Sequence, residues 1–364
     1  MGVKAGIIGL PNSGKTTLFN LLTRQHAPTA PYPFTTIDPN RGVVEIPDER
    51  IEKLSSIISP PRVVPATVEF IDVAGLVKGA SQGEGLGNQF LSEVRGVDAI
   101  VHVLRFFNDT QVAHVMGGID PARDLETIEI ELLLADREVL DRRFSRAREL
   151  THKIKDTSIE FEYTVLDRCL KALDNAVPLR KMVLSDEEKI ILRSSQPITL
   201  KPVVHVANCD EGEDSCRLVT HLRQTQPLNN VTLLKVHAKL EEELVELTHP
   251  ERVSFLQAYG VEESGLVLLI KEVYRALGLV TFFTFNEKEL RAWEIPAGTH
   301  ASTAAGKIHT DMEKGFIKAE VVNYVELAAA GSLESLRREG KVRLEGREYQ
   351  VQDGDVIYFR FSPF

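Results

Sequence analysis

The sequence predicts an α/β protein in which a doubly wound sheet carries an inserted helical segment and a small C-terminal β module. Three observations support this prediction. Short apolar, β-branched runs alternate with helical patterns, as they do in parallel sheets that helices cover on both faces. About seventy consecutive residues, 123–192, contain no strand pattern. From residue 279 onward, short strand-like runs are separated by glycines.

The chain has 364 residues, of which 43% are hydrophobic and 26% are charged. This composition is typical of a soluble globular protein with two or three domains, and it excludes collagen, disordered chains and small disulfide scaffolds. The formal net charge of −10 argues against a uniformly basic nucleic-acid binder, so we expect no DNA partner. No apolar run approaches the roughly 20 residues that span a bilayer. Three cysteines without a CxxC pair fit a reduced compartment, so we expect a cytoplasmic protein without a membrane partner.

Four short runs are predicted as buried strands of the sheet, at residues 3–8, 66–73, 99–104 and 202–207. A helix is predicted over residues 15–23, directly after the glycine loop that ends the first strand. In the C-terminal module, further strands are predicted at residues 280–285, 291–295, 319–325, 341–344, 349–351 and 356–361. This module has about 80 residues, which is enough for it to fold independently.

The strand-free segment is predicted to form an antiparallel, coiled-coil-like helical pair that projects from the sheet. Apolar residues recur along it at helical spacing, and Ser185 with Glu188 forms a capping box before a third helix. The alternative is that these are ordinary surface helices. Residues 137–155 carry seven Lys or Arg against three Asp or Glu. Such a run is usually a solvated face, although on a projecting helix it would suit phosphate contacts from Arg142, Arg143, Arg146 and Arg148.

Residues 9–17, Gly-Leu-Pro-Asn-Ser-Gly-Lys-Thr-Thr, match the pattern G-x-x-x-x-G-K-[ST] between a predicted strand and a predicted helix. In this arrangement backbone N–H groups converge on phosphate oxygens, and glycines let the backbone approach the anion. Lys15 would neutralise the β- and γ-phosphates, and the Thr16 hydroxyl would ligate Mg²⁺. The sequence therefore predicts a nucleoside triphosphate site. Its predicted phosphate-binding residues are Asn12, Ser13, Gly14, Lys15, Thr16 and Thr17.

The second predicted strand ends in Asp72-Val73-Ala74-Gly75. Asp72 is predicted to hold Mg²⁺ through water, and the Gly75 N–H would sense the γ-phosphate, acting in catalysis together with Lys15. A threonine of residues 33–36 would complete the magnesium shell as a switch loop does. The glycine-rich residues 79–87 fit a loop that the γ-phosphate orders, or alternatively a plain mobile surface loop.

The fourth predicted strand ends in Asn208-Cys209-Asp210-Glu211, where guanine-specific members of this protein class carry Asn-Lys-x-Asp. Glu211 reaches one methylene further than Asp, and Cys209 stands where the lysine stem would pack against the base. We therefore expect guanine preference to be lost and ATP to bind at Asn208, Cys209 and Glu211. One alternative is that Asp210 or Glu211 simply faces solvent.

Leu76 occupies the position at which Ras-type enzymes carry the glutamine that orients the attacking water. Leucine cannot form this hydrogen bond, so hydrolysis is expected to be slow unless another group is supplied. The candidates are His114 in the loop 108–118, a second element, or a bound cation, for which Asn12 is a candidate K⁺ ligand. A lone loop histidine is more often merely exposed.

Together these motifs resemble the YchF-type Obg-like ATPases, within the Obg branch of translation-factor P-loop NTPases. The resemblance covers essentially the full length and rests on residues 9–16, 33–37, 72–80 and 208–211. Residues 291–311 look like the TGS domain of that family, a ubiquitin-like β-grasp module. The predicted domains are a P-loop NTPase domain at 1–125 and 200–278, a helical insertion at 126–199 and a TGS domain at 279–364.

The resemblance implies ATP preference over GTP, a magnesium site at Thr16 and Thr36, and Leu76 in place of the usual glutamine. It also implies association with the ribosome through an RNA-facing cleft between the helical insertion and the TGS domain. A histidine matching His114 has been considered catalytic in the family. The expectation is an ATP-hydrolysing switch that binds the ribosome. The alternatives are a GTPase of the Obg branch, in which Glu211 replaces the aspartate, and a ribosome-binding scaffold with a structural nucleotide.

Overall fold

The computed structural model describes residues 2–25, 40–73, 86–109, 112–115, 117–210, 213–225, 233–258 and 260–362. Its strands are β1 (Val3–Ile8), β2 (Arg41–Glu45), β3 (Val63–Val64), β4 (Thr67–Asp72), β5 (Ala99–Arg105), β6 (Val203–Asn208), β7 (Leu233–Val236), β8 (Leu279–Phe285), β9 (Leu290–Pro296), β10 (Phe316–Asn323), β11 (Arg343–Glu345) and β12 (Asp355–Phe361).

The helices that belong to the first sheet and the insertion are α1 (Lys15–Gln25), α2 (Glu49–Ile58), α3 (Leu86–Arg95), α4 (Pro121–Lys153), α5 (Thr157–Asp174), α6 (Asp186–Arg193), α7 (Glu213–Thr225), α8 (Ala238–Val245), α9 (His249–Ala258) and α10 (Gly265–Ala276). Those of the C-terminal module are α11 (Ala301–Ile308), α12 (Thr310–Lys314), α13 (Tyr324–Ala330) and α14 (Leu333–Arg338). Short 3₁₀ turns cover Leu179–Lys181 and Ile198–Leu200.

The first sheet has the strand order β2-β4-β1-β5-β6-β7, and all of its strands run parallel except β2 at one edge. Leu22 of α1 and Ile270 of α10 pack on one face. Phe90 of α3 and Ile128 of α4 pack on the other. The predicted doubly wound α/β fold is therefore confirmed. The carboxyl ends of β1, β4, β5 and β6 meet at one edge, where a sheet of this type binds its ligand.

The four strands predicted for this sheet are present, each with its ends within one residue of the prediction. Strands β2 and β7 are not predicted by the sequence analysis. β2 is a half-exposed antiparallel edge with a polar residue at each end, so it lacks the continuous apolar run of a buried parallel strand. β7 has only four residues, too few for a clear pattern.

The helical insertion is built on α4, which has 33 residues and is about 50 Å long. Pro121 opens this helix, and the Asp120 side chain caps it by accepting a hydrogen bond from the Arg123 N–H. The first half of α4 packs on the first sheet, whereas Leu140 and Ala147 pack against α5. The predicted division between residues 125 and 126 thus lies inside one continuous helix. The capping box predicted before α6 is confirmed.

The basic run on α4 divides into two groups. The Arg142 side chain is 66% exposed, and Arg146 and Arg148 are also exposed. Arg143 instead donates hydrogen bonds to Glu162 at 2.6 Å and to the Ile191 carbonyl at 2.7 Å. Arg143 therefore braces α4 against the rest of the insertion and is not available as a surface contact.

The second sheet has the strand order β11-β10-β12-β8-β9-β3. Three strand predictions differ from the structure here, and one of them, at 341–344, is β11, which begins at Arg343. Residues 349–351 do not form a strand, because only Gln350 makes an isolated bridge, to His300. The strand predicted at 319–325 is β10, which starts earlier and ends at Asn323, where the Asn323 side chain caps α13.

The two sheets share one hydrophobic core. Leu54 of α2 and Val68 of β4 belong to the same buried cluster as Phe283 of β8 and Val356 of β12. Strand β3, from the N-terminal part of the chain, pairs with β9 and so extends the second sheet. In the ranges that the structure describes, no helix is both long enough and apolar enough to cross a membrane.

Candidate functional site

The phosphate loop (residues 9–14) connects β1 to α1 at the carboxyl edge of the first sheet. Gly14 has a φ of +95°, and a Cβ atom there would lie 2.1 Å from Asn208 Nδ2. A Cβ atom at Gly9 would lie 2.5 Å from the Val103 carbonyl oxygen. Both motif glycines therefore stand where a side chain would collide with a residue of a neighbouring strand.

Lys15 is the first residue of α1 and is 7% exposed. Its Nζ donates a hydrogen bond of 2.9 Å to the Leu10 carbonyl, across the phosphate loop. Burial lowers the pKa of Lys15, and the nearby Asp72 carboxylate partly opposes this. A phosphate group would offer this ammonium a charged acceptor, which makes a stronger hydrogen bond than a neutral carbonyl does.

Two of the three predicted magnesium ligands lie in contact. Thr16 Oγ1 donates a hydrogen bond of 2.8 Å to Asp72 Oδ2, because the pairing of Ile7 with Asp72 brings the end of β4 beside the phosphate loop. Hydroxyl and carboxylate oxygens are the donors that Mg²⁺ prefers. No group of three or more His, Cys, Asp or Glu that could hold a metal occurs among the described residues. Mg²⁺ binds proteins through few side chains, so this set fits the ion.

The side chains of Asn12 and Ser13 in the phosphate loop differ in their hydrogen bonds. Ser13 is 3% exposed, and its Oγ has no hydrogen-bond partner among the described residues. A buried hydroxyl without a partner is uncommon and fits a site that accepts a polar ligand. Asn12, with a φ of +64°, donates from Nδ2 to the Ala113 carbonyl at 3.0 Å. This bond ties the phosphate loop to the β5–α4 loop (residues 106–120).

The base-reading segment starts at the end of β6. Asn208 is 6% exposed and donates from Nδ2 to the Ser13 carbonyl at 3.1 Å, so it braces the phosphate loop. Cys209 is also buried, and it packs with Phe106 in an apolar cluster. Asp210 accepts hydrogen bonds from the Asn108 N–H at 2.9 Å and from Ser215 Oγ. Asp210 therefore shapes the loop and does not simply face solvent.

His114 lies in the β5–α4 loop, and its side chain is only 6% exposed. Its Nε2 is 2.8 Å from Oδ2 of Asp124, a residue of the first turns of α4. Burial raises the pKa of Asp124, and the hydrogen bond to His114 partly opposes this. His114 is therefore a buried member of a His–Asp pair, whereas an exposed loop histidine was the ordinary expectation.

Two residues near the site carry no motif and are missed by the sequence analysis. Asp124 holds His114, and Arg105 donates to several carbonyls of the β5–α4 loop. The available signal for Arg105 was a charged residue at the end of an otherwise apolar strand run. Asp124 lies in a helix of mixed charge, where the sequence does not distinguish it from its neighbours.

The structure brings together Asn12, Ser13, Gly14, Lys15, Thr16, Asp72 and Asn208 at one edge of the sheet. Thr17 is exposed on the first turn of α1. The remaining predicted site residues lie outside the described residues, and their roles stay predictions. They are Thr36, Gly75, Leu76 and Glu211.

Comparison with known proteins agrees with this geometry. Residues 4–139 match a family described as 50S ribosome-binding GTPase. Residues 279–362 match the C-terminal domain family of YchF GTPases, which is described as a protein of unknown function. The chain is 47% identical to the "Ribosome-binding ATPase YchF" of Bacillus subtilis (strain 168) and 45% identical to that of Escherichia coli O157:H7, in both cases over 100% of each chain.

A solved structure covers the same length. The YchF GTPase of Schizosaccharomyces pombe superimposes with a TM-score of 0.88 at 35% sequence identity, over 99% of this chain and 98% of that chain. The likeness therefore includes the first sheet, the helical insertion and the C-terminal module together. On the identity and coverage of these relatives, this chain belongs to the YchF family.

Proposed function

We propose that this chain binds ATP with Mg²⁺ in preference to GTP, hydrolyses it, and uses the nucleotide state to control its association with the ribosome in the cytoplasm. The observation that carries the base preference is Asn208-x-x-Glu211, which lacks both the lysine and the aspartate of a guanine reader. The neighbouring carboxylate offers no substitute, because Asp210 is engaged by Asn108 and Ser215. The printed names of the bacterial relatives support the ATPase and ribosome assignments.

In this proposal each residue of the phosphate loop has a distinct task. Mg²⁺, when bound, would neutralise charge on the β- and γ-phosphates. Thr16 and Asp72, with Thr36, would hold the ion. Lys15 would exchange its bond to Leu10 for the phosphates, and the Gly75 N–H would sense the γ-phosphate. Asn12 remains a proposed ligand for K⁺.

The group that orients the attacking water is proposed to be His114, since Leu76 cannot accept or donate a hydrogen bond. Its support is that Asn12 bonds to Ala113, the residue before His114, and so brings this loop to the phosphate loop. We expect His114→Ala to lower the single-turnover rate of ATP hydrolysis and to leave ATP affinity unchanged. Hydrolysis at the full rate would remove His114 from the mechanism.

Calorimetric titration of the protein with ATP and with GTP, in Mg²⁺, tests the base preference. We expect ATP to bind more tightly, and a preference for GTP of about tenfold or more, which is 1.4 kcal/mol, would contradict the proposal. Glu211→Asp is the matched variant and should move the preference toward guanine. Cys209 is left unchanged, because a lysine there would place a charge in the apolar cluster around Phe106.

Ribosome association is tested on the exposed part of α4. Reversal of Arg142 and Arg146 to Glu should weaken ribosome co-sedimentation and reduce its salt dependence, because each lost phosphate contact lowers the salt slope by about 0.7–0.9. The control reverses Lys171 and Lys189, which are 72% and 53% exposed on other helices of the insertion. If the two double variants behave alike, the basic run is a solvated face.

The scaffold alternative is separated from the switch by one measurement. Single-turnover ATP hydrolysis is followed with and without ribosomes. Stimulation by ribosomes supports a switch, and no stimulation together with negligible basal turnover supports a scaffold with a structural nucleotide.

A further inference from the structure

Arg105, the last residue of β5, is almost completely buried, with 3% of its surface exposed. All three of its guanidinium nitrogens donate to backbone carbonyls of the β5–α4 loop. The hydrogen bonds run from Nε to Phe107 (3.2 Å), from Nη2 to Val112 (2.9 Å) and Asp109 (3.3 Å), and from Nη1 to Ala113 (3.5 Å). The loop is therefore wrapped around one side chain.

No carboxylate of the described residues forms an ion pair with Arg105. Within the described ranges, its charge is balanced by those carbonyl dipoles and by the Phe107 ring, whose centroid is 4.5 Å from the guanidinium carbon. Arginine stays protonated when it is buried, so it cannot avoid the cost of desolvation by losing its charge. An apolar residue would fill this position at lower cost, but it would not hold the loop.

The loop that Arg105 holds touches the phosphate loop at two points. The Ala113 carbonyl, which accepts from Arg105, also accepts from Asn12 at 3.0 Å. Phe107 Cε1 lies 4.0 Å from the place where a Cβ atom of Gly14 would be. His114 follows Ala113 directly. The position of one buried guanidinium is thus linked to where an aromatic ring and a histidine stand relative to the phosphate loop.

We propose that Arg105 is a positioning residue for nucleotide hydrolysis: it folds the β5–α4 loop against the phosphate loop and thereby sets Phe107 and His114. This inference rests on the proposed function for its catalytic readout only. The structural part, that Arg105 orders the loop, is independent of which nucleotide the protein hydrolyses.

The test compares Arg105→Met and Arg105→Lys with the native full-length protein. Methionine fills a similar volume without the buried charge, and lysine keeps the charge but cannot bond in a planar fork. The control is Arg95→Lys. Arg95 also donates to carbonyls, of Ala135 and Gln196, but at the opposite end of the sheet. Melting temperature, hydrogen exchange of amides 106–115, ATP affinity and single-turnover hydrolysis are measured for each.

For both Arg105 variants we expect exchange protection in the loop and the hydrolysis rate to fall by about tenfold or more, with ATP affinity changed by less than about threefold. Arg105→Met should keep a melting temperature within about 4 °C of the native protein, since it removes a buried charge. Arg95→Lys should leave loop protection and the hydrolysis rate unchanged.

Three results would overturn the proposal. Loop exchange and hydrolysis within twofold of native would show that Arg105 does not order the loop. Loss of protection throughout the first sheet in both variants would make Arg105 a general structural residue. The same conclusion would follow if Arg95→Lys slowed single-turnover hydrolysis as much as Arg105→Lys does. If the native protein hydrolyses no nucleotide, the proposed function fails, and loop exchange alone still decides the role of Arg105.

Discussion

At the scale of single residues, Gly14 shows how tightly the phosphate loop is specified. Its φ of +95° is strained for any residue with a side chain, and a Cβ atom would meet Asn208 Nδ2 at 2.1 Å. We expect Gly14→Ala to lose about 1–3 kcal/mol of stability and more than about tenfold in nucleotide affinity, because Asn208 must move and releases Ser13. Urea unfolding and calorimetric titration measure the two effects.

Gly117 is the matched control for this substitution. It also has a positive φ, of +84°, but an added Cβ atom would meet no atom of the described residues within 4 Å. Gly117→Ala should therefore cost a comparable amount of backbone strain and leave nucleotide affinity unchanged. Equal affinities in the two variants would contradict the argument that packing against Asn208 shapes the loop.

The site residues differ in how far the sequence could predict them. The motif residues were predictable because phosphate and Mg²⁺ restrict both residue type and spacing, and the contact of Thr16 with Asp72 agrees with this. Arg105 and Asp124 act through tertiary contacts with backbone carbonyls and with His114. Such contacts depend on where the β5–α4 loop lies in space. No spacing of residues along the chain encodes that position.

At the scale of secondary-structure elements, Lys201 joins the end of α3 to the start of β6. It donates hydrogen bonds to the carbonyls of Arg95, at 2.6 Å, and Val97. Burial lowers its pKa to about 8 from an ordinary 10.5, with Asp98 partly opposing this. Between these two pH values the folded chain binds fewer protons than the unfolded chain. Stability contributed by this residue should therefore rise with pH across that window.

The measurement is urea unfolding of the native protein and of Lys201→Met, at several pH values from about 7.5 to about 10.5. The difference in free energy of unfolding should shift in favour of the native protein as pH rises, since other titrating groups cancel. Parallel profiles for the two proteins would show that the pKa of Lys201 is the same in both states.

Elements buried on both faces were predicted well, and edges were not. The runs that became β1, β4, β5 and β6 are apolar because helices cover both sides of them. β2 is half-exposed, so its residues carry no such pattern. The capping box before α6 was predictable because it is a local arrangement of Ser185 and Glu188.

At the scale of the whole molecule, the N-terminal sheet and the C-terminal module are joined by polar contacts as well as by packed apolar side chains. Arg50 of α2 donates to Asp353 at 2.7 Å and to Asp48 at 2.8 Å. Its guanidinium carbon also lies 5.4 Å from the centroid of the Phe283 ring. With β3 added to the second sheet, these contacts join segments that the sequence analysis assigns to separate domains.

Because the hydrophobic core is shared, we expect the two sheets to unfold together. Trp293, the single tryptophan of the chain, lies on β9 and reports the second sheet by fluorescence. Amide exchange of β1 and β5 in increasing urea reports the first. The two probes should give the same urea midpoint in the native protein.

In Arg50→Ala both urea midpoints should fall together. The free energy of unfolding should fall by about 1–3 kcal/mol, because Asp353 and Asp48 lose the Arg50 guanidinium. Arg275→Ala is the control, because the Arg275 side chain is 71% exposed beside Glu272 and its loss should lower the free energy of unfolding much less than the loss of Arg50 does. If Trp293 reported unfolding at a clearly lower urea concentration than β1 and β5, the module would be an independent domain that merely rests on the first sheet.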